Sequence, residues 1–302
     1  MWAGPANIAG VIRLYAPAKI NLSLEVTGKR ADGYHDVRTV LQAVDLADEL
    51  TFELADDVRL VVEPSRSVPV EGNLVLRAAN ALRDAIGTKA GAQIVLRKRI
   101  PVAAGLGGGS SDAAATLLGL RSLWAPDFPD GDIYRIATGL GSDVPFFIRG
   151  GTALGRGRGD ALEMLPLPLE RHAIIMKVPE AQNGDKTARM YGLLGPANFT
   201  DGTRTDELAR RIRAGESLKG GLFNAFDPIA SQAYRWYNDS YDLFSGFGGR
   251  IMLTGAGPSL FRLAGDWLEA SFTGGELMEA GSDAQAVRLI GPWPETGLEE
   301  LA

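Results

Sequence analysis

Residues Gly105-Leu-Gly-Gly-Gly-Ser-Ser-Asp112 form a glycine-rich run between a predicted strand, residues 92–100, and a predicted helix, residues 111–124. Such a junction presents bare backbone N–H groups at a helix N-terminus, and these groups bind phosphate. Glycine suits the loop because a side chain would block the approach of an anion and because a tight turn can require positive φ. The run therefore predicts a phosphate-binding loop.

Two better-known phosphate loops do not fit this run. The P-loop needs a lysine directly before its hydroxyl residue, and the sequence has no lysine between Lys98 and Lys177. The dinucleotide pattern G-x-G-x-x-G can begin at Gly105, but Ser110 stands where its third glycine belongs. A flexible linker is the plain alternative, and the apolar strand and apolar-faced helix on either side argue against it.

Composition excludes several classes of protein. A chain of 302 residues that is 45% hydrophobic can bury a large core, in two domains or one large one. Its 31 basic and 37 acidic residues argue against a nucleic-acid partner. The absence of cysteine excludes thiolate catalysis and fits a cytoplasmic protein. His35 and His172 are too few for a histidine-built metal centre, and we assign no metal ligand.

Neither a signal peptide nor a membrane span is predicted. The opening residues 1–10 lack a basic n-region and a long apolar segment, and no apolar stretch approaches the roughly 18 residues that a span needs. We therefore expect no membrane partner. No role follows from the sequence for residues 1–10 or for the tail after Gly291.

Strand and helix patterns are mixed without strict alternation, which predicts an α+β architecture. Strands are predicted at residues 11–16, 20–27, 36–44, 50–54, 58–62, 144–148 and 152–154, and helices at 73–86 and 132–140. After the prolines at 166 and 168 we predict strands at 173–178, 250–253, 259–263 and 286–290, and helices at 206–214 and 228–237. The domain boundary is placed at those prolines, giving domains of residues 11–168 and 169–302.

Asp143 is the carboxylate best placed for proton transfer, because it stands between the predicted turn at Gly141 and the apolar run Val144-Pro-Phe-Phe-Ile148. A helix or turn cap is the competing role. Lys19 precedes a largely apolar strand, where a surface lysine with a buried stem is the competing interpretation. Asn21 follows two residues later and shares its strand face.

Other candidate positions also have two interpretations. Tyr34 and His35 suit a stacked, hydrogen-bonded base, or they are exposed turn residues. Ser110 and Ser111 could cap the helix or reach phosphate and Mg²⁺. Asp112 is interpreted as structural or metal-facing. Gly255 and Gly257 form a tight turn that could approach the loop or the substrate, or an ordinary hairpin.

Three segments, in order, resemble the three motifs of the GHMP kinase superfamily: Pro17-Ala-Lys-Ile-Asn-Leu22, residues 101–115, and Leu253-Thr-Gly-Ala-Gly-Pro-Ser-Leu-Phe261. Gly28-Lys-Arg-Ala-Asp-Gly-Tyr-His35 and Gly141-Ser-Asp-Val-Pro145 resemble one branch of it, whose substrate carries a cytidine diphosphate group. The resemblance covers residues 11–263. It implies a two-domain GHMP kinase fold, with an α+β ATP-binding N-terminal domain and a ferredoxin-like C-terminal domain.

The resemblance also implies roles for residues. Lys19 and Asp143 would be catalytic, with Asp143 accepting the proton of the substrate hydroxyl. ATP, with Mg²⁺, would contact Asn73, Lys98, Pro101, Val102, Ala103, Ala104, Gly105, Leu106, Gly107, Gly108, Gly109, Ser110 and Ser111. The substrate would contact Asn21, Tyr34, His35, Tyr191 and Gly255. A core tyrosine is the alternative for Tyr191, and Asn224-Ala-Phe-Asp227 departs from the more usual Asn-Asp-Phe-Glu.

The implied activity is phosphoryl transfer from ATP to a hydroxyl of a small substrate that carries a cytidine diphosphate group, a step of non-mevalonate isoprenoid biosynthesis. One alternative is another GHMP kinase, acting on mevalonate-type, homoserine or sugar alcohols. A second is a nucleotide-binding regulator that has lost catalysis, which the presence of both Lys19 and Asp143 disfavours. The protein is expected to be a monomer or a homodimer.

Overall fold

The computed structural model describes residues 7–8, 11–64, 68–179 and 186–292. The expectations for residues 1–10 and for the tail therefore lie, apart from residues 7–8 and 292, outside the described residues. The strands are β1 (Asn7–Ile8), β2 (Val11–Lys29), β3 (His35–Ala55), β4 (Arg59–Glu63), β5 (Gly91–Arg97), β6 (Thr152–Arg156), β7 (Ala161–Leu165), β8 (His172–Lys177), β9 (Phe223–Asn224), β10 (Ile251–Leu253), β11 (Ser259–Ala264) and β12 (Asp283–Arg288). The helices are α1 (Leu74–Ile86), α2 (Gly108–Trp124), α3 (Asp130–Leu140), α4 (Val144–Arg149), α5 (Lys186–Gly192), α6 (Thr203–Arg213), α7 (Ala230–Ala233), α8 (Tyr237–Ser245) and α9 (Trp267–Glu279).

Two sheets organise the fold. The first has the order β1-β2-β3-β5-β4. In addition, β6 pairs with β3, β7 pairs with β6, and β9 pairs with β2. Helices α1 to α4 share one apolar cluster with β2, β3 and β5. The second sheet is β10-β11-β8-β12, antiparallel throughout, and α9 packs on it. A further apolar cluster, which includes Ile20 of β2 and Phe261 of β11, joins the two sheets.

The two predicted strands at residues 11–16 and 20–27 are one strand, β2, with irregular register. The pairing with β3 shifts between Pro17 and Ala18, and again between Asn21 and Ser23. Proline has no backbone N–H for the sheet. Just beyond it, the backbone N–H of Lys19 donates to the carbonyl of Leu106 in the glycine loop, at 2.9 Å. The irregularity therefore attaches the loop to β2 at the position of Lys19.

The prediction of a strand at residues 144–148 is wrong, because Val144–Arg149 forms helix α4. Pro145 lies in the first helical turn, where proline is tolerated, and Gly150 follows the last residue. Phe146 and Phe147 are both buried against α2 and the sheet. A short apolar run has no periodicity that separates a strand from a buried helix, and tertiary contacts decided this one.

Two further differences lie in the second half. The helix predicted at residues 228–237 is interrupted: a short helix, α7, ends before Tyr234, whose backbone is extended (φ −119°, ψ 115°). Helix α9 was not predicted. It contains Gly274 and Gly275, which are unfavourable in helices, and a Cβ on Gly274 would lie 3.1 Å from the backbone N of Ala286 in β12. The glycine allows α9 to lie close against the second sheet.

The predicted boundary at residues 168–169 falls between β7, which belongs to the first sheet, and β8, which belongs to the second. The chain then returns, because β9 pairs in parallel with β2. The division into domains of residues 11–168 and 169–302 stays a prediction. Within the described ranges, every helix is too short or too polar to traverse a lipid bilayer.

Candidate active site

The glycine loop runs from β5 into α2 and touches the second sheet. Helix α2 begins at Gly108, three residues earlier than predicted, and its N-cap residue Gly107 has φ 73°. Gly105 has φ 78°, and a Cβ there would lie 2.6 Å from the carbonyl oxygen of Thr254. Neither position accepts a side chain without movement. The loop is thus held between the start of α2 and the Thr254–Gly257 turn after β10, which we call the glycine turn.

One cavity of about 360 Å³, the loop cavity, lies along the outer side of the glycine loop. Its lining contains all the residues predicted to contact ATP except Ser111: Asn73, Lys98, Pro101, Val102, Ala103, Ala104, Gly105, Leu106, Gly107, Gly108, Gly109 and Ser110. Ser111 is buried, and its hydroxyl oxygen has no hydrogen-bond partner among the described residues. The Asn73 side chain caps α1 by accepting from the N–H of Val75 at 3.0 Å.

Lys98 is held by two buried carboxylates that the sequence analysis did not bring together. Its ammonium donates to Asp112 at 2.9 Å and to Asp48, whose other oxygen accepts from the backbone N–H of Ile100 at 2.8 Å. Burial and the charge of Asp48 raise the pKa of Asp112, and Lys98 opposes this. The ion pair with Lys98 supports a structural role for Asp112, one of the two roles considered for it. It joins the first turn of α2 to the end of β5.

Lys19 and Asn21 form a connected pair on β2. Lys19 is 4% exposed, so the surface-lysine alternative is wrong. Its ammonium donates to the Asn21 side-chain oxygen at 2.7 Å and to the carbonyl of Gly105 at 2.8 Å. The Asn21 amide nitrogen donates to the hydroxyl of Thr39 at 2.7 Å, which orients the Asn21 oxygen toward Lys19. Two of the three ammonium N–H groups are thereby used, and the third is available to an anion.

Burial lowers the pKa of Lys19 from its ordinary value, and the negative charge of Asp143 offsets part of this effect. Asp143 occupies the N-cap position of α4, but its side chain makes no capping hydrogen bond. The cap interpretation therefore has no support from the geometry. Both residues line the same cavity.

That second cavity, the junction cavity, has a volume of about 840 Å³ and is lined mainly by residues of β2, β3, the glycine loop, α5 and the glycine turn. Every residue predicted to contact the substrate lines it: Asn21, Tyr34, His35, Tyr191 and Gly255. It shares Ala103, Gly105, Gly107 and Ser110 with the loop cavity. A phosphate bound at the glycine loop would therefore face Lys19, Asp143 and the contents of the junction cavity.

Three aromatic side chains, Tyr34, His35 and Tyr191, line the junction cavity. Tyr34 is 54% exposed, and the Arg158 guanidinium lies over its ring at 5.2 Å from the centroid. The His35 ring packs on Tyr191 at 4.8 Å between centroids. Burial, and secondarily the charge of Lys29, lowers the pKa of His35, which favours the neutral imidazole. Tyr191 lies beside His35, and its ring also meets Phe226 edge-on.

Several lining residues were missed by the sequence analysis. Lys29 and Arg158 place two cations near Tyr34, and Thr39 orients Asn21. Arg158 follows β6 and lies far from Tyr34 in the chain, so only the fold brings them together. Lys29 stands inside the quoted motif Gly28 to His35 and could have been selected from it. Thr39 carried no signal beyond its place on a predicted strand.

The glycine loop, the buried Lys19 and the Asp143 carboxylate, which caps no helix, meet at one cavity, and this arrangement fits a kinase of the GHMP class. The family "GHMP kinases N terminal domain" matches residues 73–151. A crystal structure of a 4-(cytidine 5'-diphospho)-2C-methyl-D-erythritol kinase is similar, with a TM-score of 0.77 and 32% identity, over 93% of this chain and 100% of that one.

Two curated relatives carry the corresponding enzyme name. The 4-diphosphocytidyl-2-C-methyl-D-erythritol kinase of Pelotomaculum thermopropionicum is 41% identical over 261 residues, which cover 85% of this chain and 90% of that protein. The one from Dehalococcoides mccartyi is 38% identical over 262 residues, with the same coverage. The chain belongs to this family of 4-diphosphocytidyl-2-C-methyl-D-erythritol kinases. It is an ATP-dependent small-molecule kinase with the α+β fold of the GHMP kinases.

Proposed function

We propose that this kinase transfers the γ-phosphoryl group of ATP to the 2-hydroxyl of 4-diphosphocytidyl-2-C-methyl-D-erythritol, in the non-mevalonate route to isoprenoid precursors. The observation that carries the proposal is the junction cavity, which the glycine loop, Lys19 and Asp143 line together with Tyr34 and His35. A substrate with a reactive polyol and a nucleobase separated by a diphosphate fits such an arrangement. A cytoplasmic location and a monomeric or homodimeric state belong to the same proposal.

Phosphoryl transfer depends mainly on positioning and charge stabilisation. The backbone N–H groups at the start of α2 hold the ATP phosphates, with Ser110 beside them. The free N–H of Lys19 stabilises the charge that develops on the transferred group. Asp143 accepts the proton of the attacking hydroxyl. Its carboxylate is available for this because it caps no helix N–H.

Magnesium fits the residues at the start of α2. No group of three or more acidic, histidine or cysteine side chains that could hold a metal occurs in the part of the chain that the structure describes. Mg²⁺ with ATP, however, usually takes one or two protein oxygens, with phosphates and water as its other ligands. The hydroxyl of Ser111 has no partner among the described residues. Ser110, which lines both cavities, would hold the ion, which neutralises phosphate charge, and the Ser111 hydroxyl lies next to it in the first turn of α2.

A substrate panel monitored by ATP consumption tests the proposal. The panel contains the cytidine-bearing substrate, mevalonate, homoserine and a sugar such as galactose. We expect turnover with the first alone. Preferential turnover of another alcohol would support the alternative of a different GHMP kinase, and binding of ATP without any turnover would support the regulator.

Cytidine recognition can be tested at Tyr34. Tyr34→Ala should raise the KM for the cytidine-bearing substrate about tenfold and leave the KM for ATP unchanged, because base stacking on an aromatic ring contributes about 1–3 kcal/mol. Tyr241→Ala, which removes another partly exposed tyrosine outside both cavities, serves as the control. An unchanged KM for the cytidine-bearing substrate would make Tyr34 a turn residue only.

Phosphate binding can be tested at Gly107. Gly107→Val should weaken ATP binding, measured by calorimetry, because φ is 73° and an added Cβ would lie 2.8 Å from the Phe147 ring. The helix start must therefore shift. Gly87→Val is the matched control, since φ at Gly87 is 74°, an added Cβ meets nothing within 4 Å, and the residue lies outside both cavities. Equal ATP affinity in the Gly107→Val protein would contradict the assignment of the loop.

A further inference from the structure

Asn224 lies in the segment Asn224-Ala-Phe-Asp227, to which the proposed reaction gives no role. It is 1% exposed and ends the short strand β9, which pairs in parallel with β2. Its amide nitrogen donates to the carbonyl of Leu253 at 2.7 Å and to the carbonyl of Gly255 at 2.9 Å. Its oxygen accepts from the N–H of Phe226 at 2.9 Å. The carboxamide thus bonds through both donors and its oxygen, with one donor on the glycine turn and the other on the end of β10 directly before it.

The glycine turn lies against Lys19 and Asn21 on β2 and against the glycine loop. Gly255 has φ 57°, and a Cβ there would lie 3.1 Å from the ammonium nitrogen of Lys19. The hydroxyl of Thr254 accepts from the backbone N–H of Asn21 at 3.2 Å. Across the loop, Gly105 packs directly on the Thr254 and Gly257 carbonyls. The position of this turn therefore sets the space around Lys19 and the phosphate loop.

Asp227 fixes the same strand end from the other side. Its carboxylate accepts from the backbone N–H of Leu253 at 2.8 Å, so Leu253 is held through its N–H by Asp227 and through its carbonyl by Asn224. Leu253 is the last residue of β10 before the turn. The segment Asn224-Ala-Phe-Asp227, which begins in β9 of the first sheet, therefore holds the end of β10 and the glycine turn in position.

We infer that Asn224 is a positioning residue for phosphoryl transfer, acting through the glycine turn on Lys19. The inference rests on the proposed function. A shift of about 1 Å in a reacting group can cost about a hundredfold in rate. Asparagine is required for this role because it supplies two donors to two carbonyls and an acceptor to a third group.

The test is Asn224→Asp, which keeps the shape but sets a carboxylate oxygen against two carbonyls. We expect kcat to fall about a hundredfold while the KM for ATP changes less than twofold, and amide exchange in the glycine turn should accelerate. Asn224→Ser retains one donor and should lose about tenfold in kcat. If the Asp variant does not fold, the Ser variant decides.

Thr152→Val is the matched control. It removes a buried hydrogen bond from Thr152 to Gln42, of 2.6 Å, outside both cavities. It should lower the melting temperature and leave kcat unchanged. A folded Asn224→Asp or Asn224→Ser protein with kcat within twofold of the parent would overturn the inference. Failure of the parent protein to phosphorylate the cytidine-bearing substrate would instead overturn the proposed function, so the two failures are distinguishable.

Discussion

Replacing Asp143 by Asn is expected to lower kcat by about 10² to 10⁴, the usual effect of removing a general base. The change preserves the shape of the side chain and removes its charge and its ability to accept a proton. The Asp143 side chain makes no capping hydrogen bond to α4, so the melting temperature should hardly change. ATP affinity, measured separately by calorimetry, should also stay close to that of the parent protein.

Asp127→Asn is the control for this experiment, because Asp127 is exposed and lies outside both cavities. It removes the same charge without touching the site, and we expect no effect on kcat. A near-normal kcat in the Asp143→Asn protein would show that another group takes the proton. The catalytic assignment would then move away from Asp143, whereas the substrate panel would still stand.

Lys19→Met is expected to lower kcat by about 10² to 10³, comparable with the removal of one preorganised donor to developing charge. The ammonium contacts Asn21 and the loop carbonyl of Gly105, so part of the loss comes from a less ordered loop. Methionine fits the buried position, but the Asn21 oxygen and the Gly105 carbonyl lose their shared donor, and a buried polar group left unpaired costs about 1–3 kcal/mol. We therefore expect the melting temperature to fall by several degrees while the protein still folds at the assay temperature.

The pH profile separates a charge effect from a packing effect at Lys19. Because burial lowers the pKa of Lys19, its positive charge is lost at a lower pH than that of a free lysine. The parent enzyme should therefore lose kcat as the pH rises toward that value, and the Lys19→Met protein should lack this alkaline limb. Lys219→Met, at an exposed lysine, should keep it. A limb that persists in Lys19→Met would assign the titration to another group.

The sequence by itself determined the chemistry-bearing positions near the glycine loop. Spacing and residue type were sufficient for the loop itself and for α1 and α2, and they placed Lys19 and Asn21 on one strand face, because neighbouring residues are placed by local backbone geometry. The roles of Lys19 and Asn21 came from the resemblance to the GHMP kinases. The GHMP kinase resemblance rested on motifs of this local kind. It extended the analysis to Tyr34, Asp143 and Gly255, whose proximity no local rule supplies.

Only the tertiary structure decided what these residues meet. The run at residues 144–148 became a helix because its apolar side chains found a core between α2 and the sheet, and such burial overrides a pattern too short to show a period. Asp48 reached Lys98 from a distant strand, and Arg158 reached Tyr34, through sheet pairings that one sequence does not reveal. Asn224 holds the glycine turn for the same reason. Strand β9 pairs with β2 of the first sheet, while the Asn224 side chain donates to Gly255 in the turn that joins two strands of the second sheet. Long-range contacts of this kind form only when the whole chain has folded.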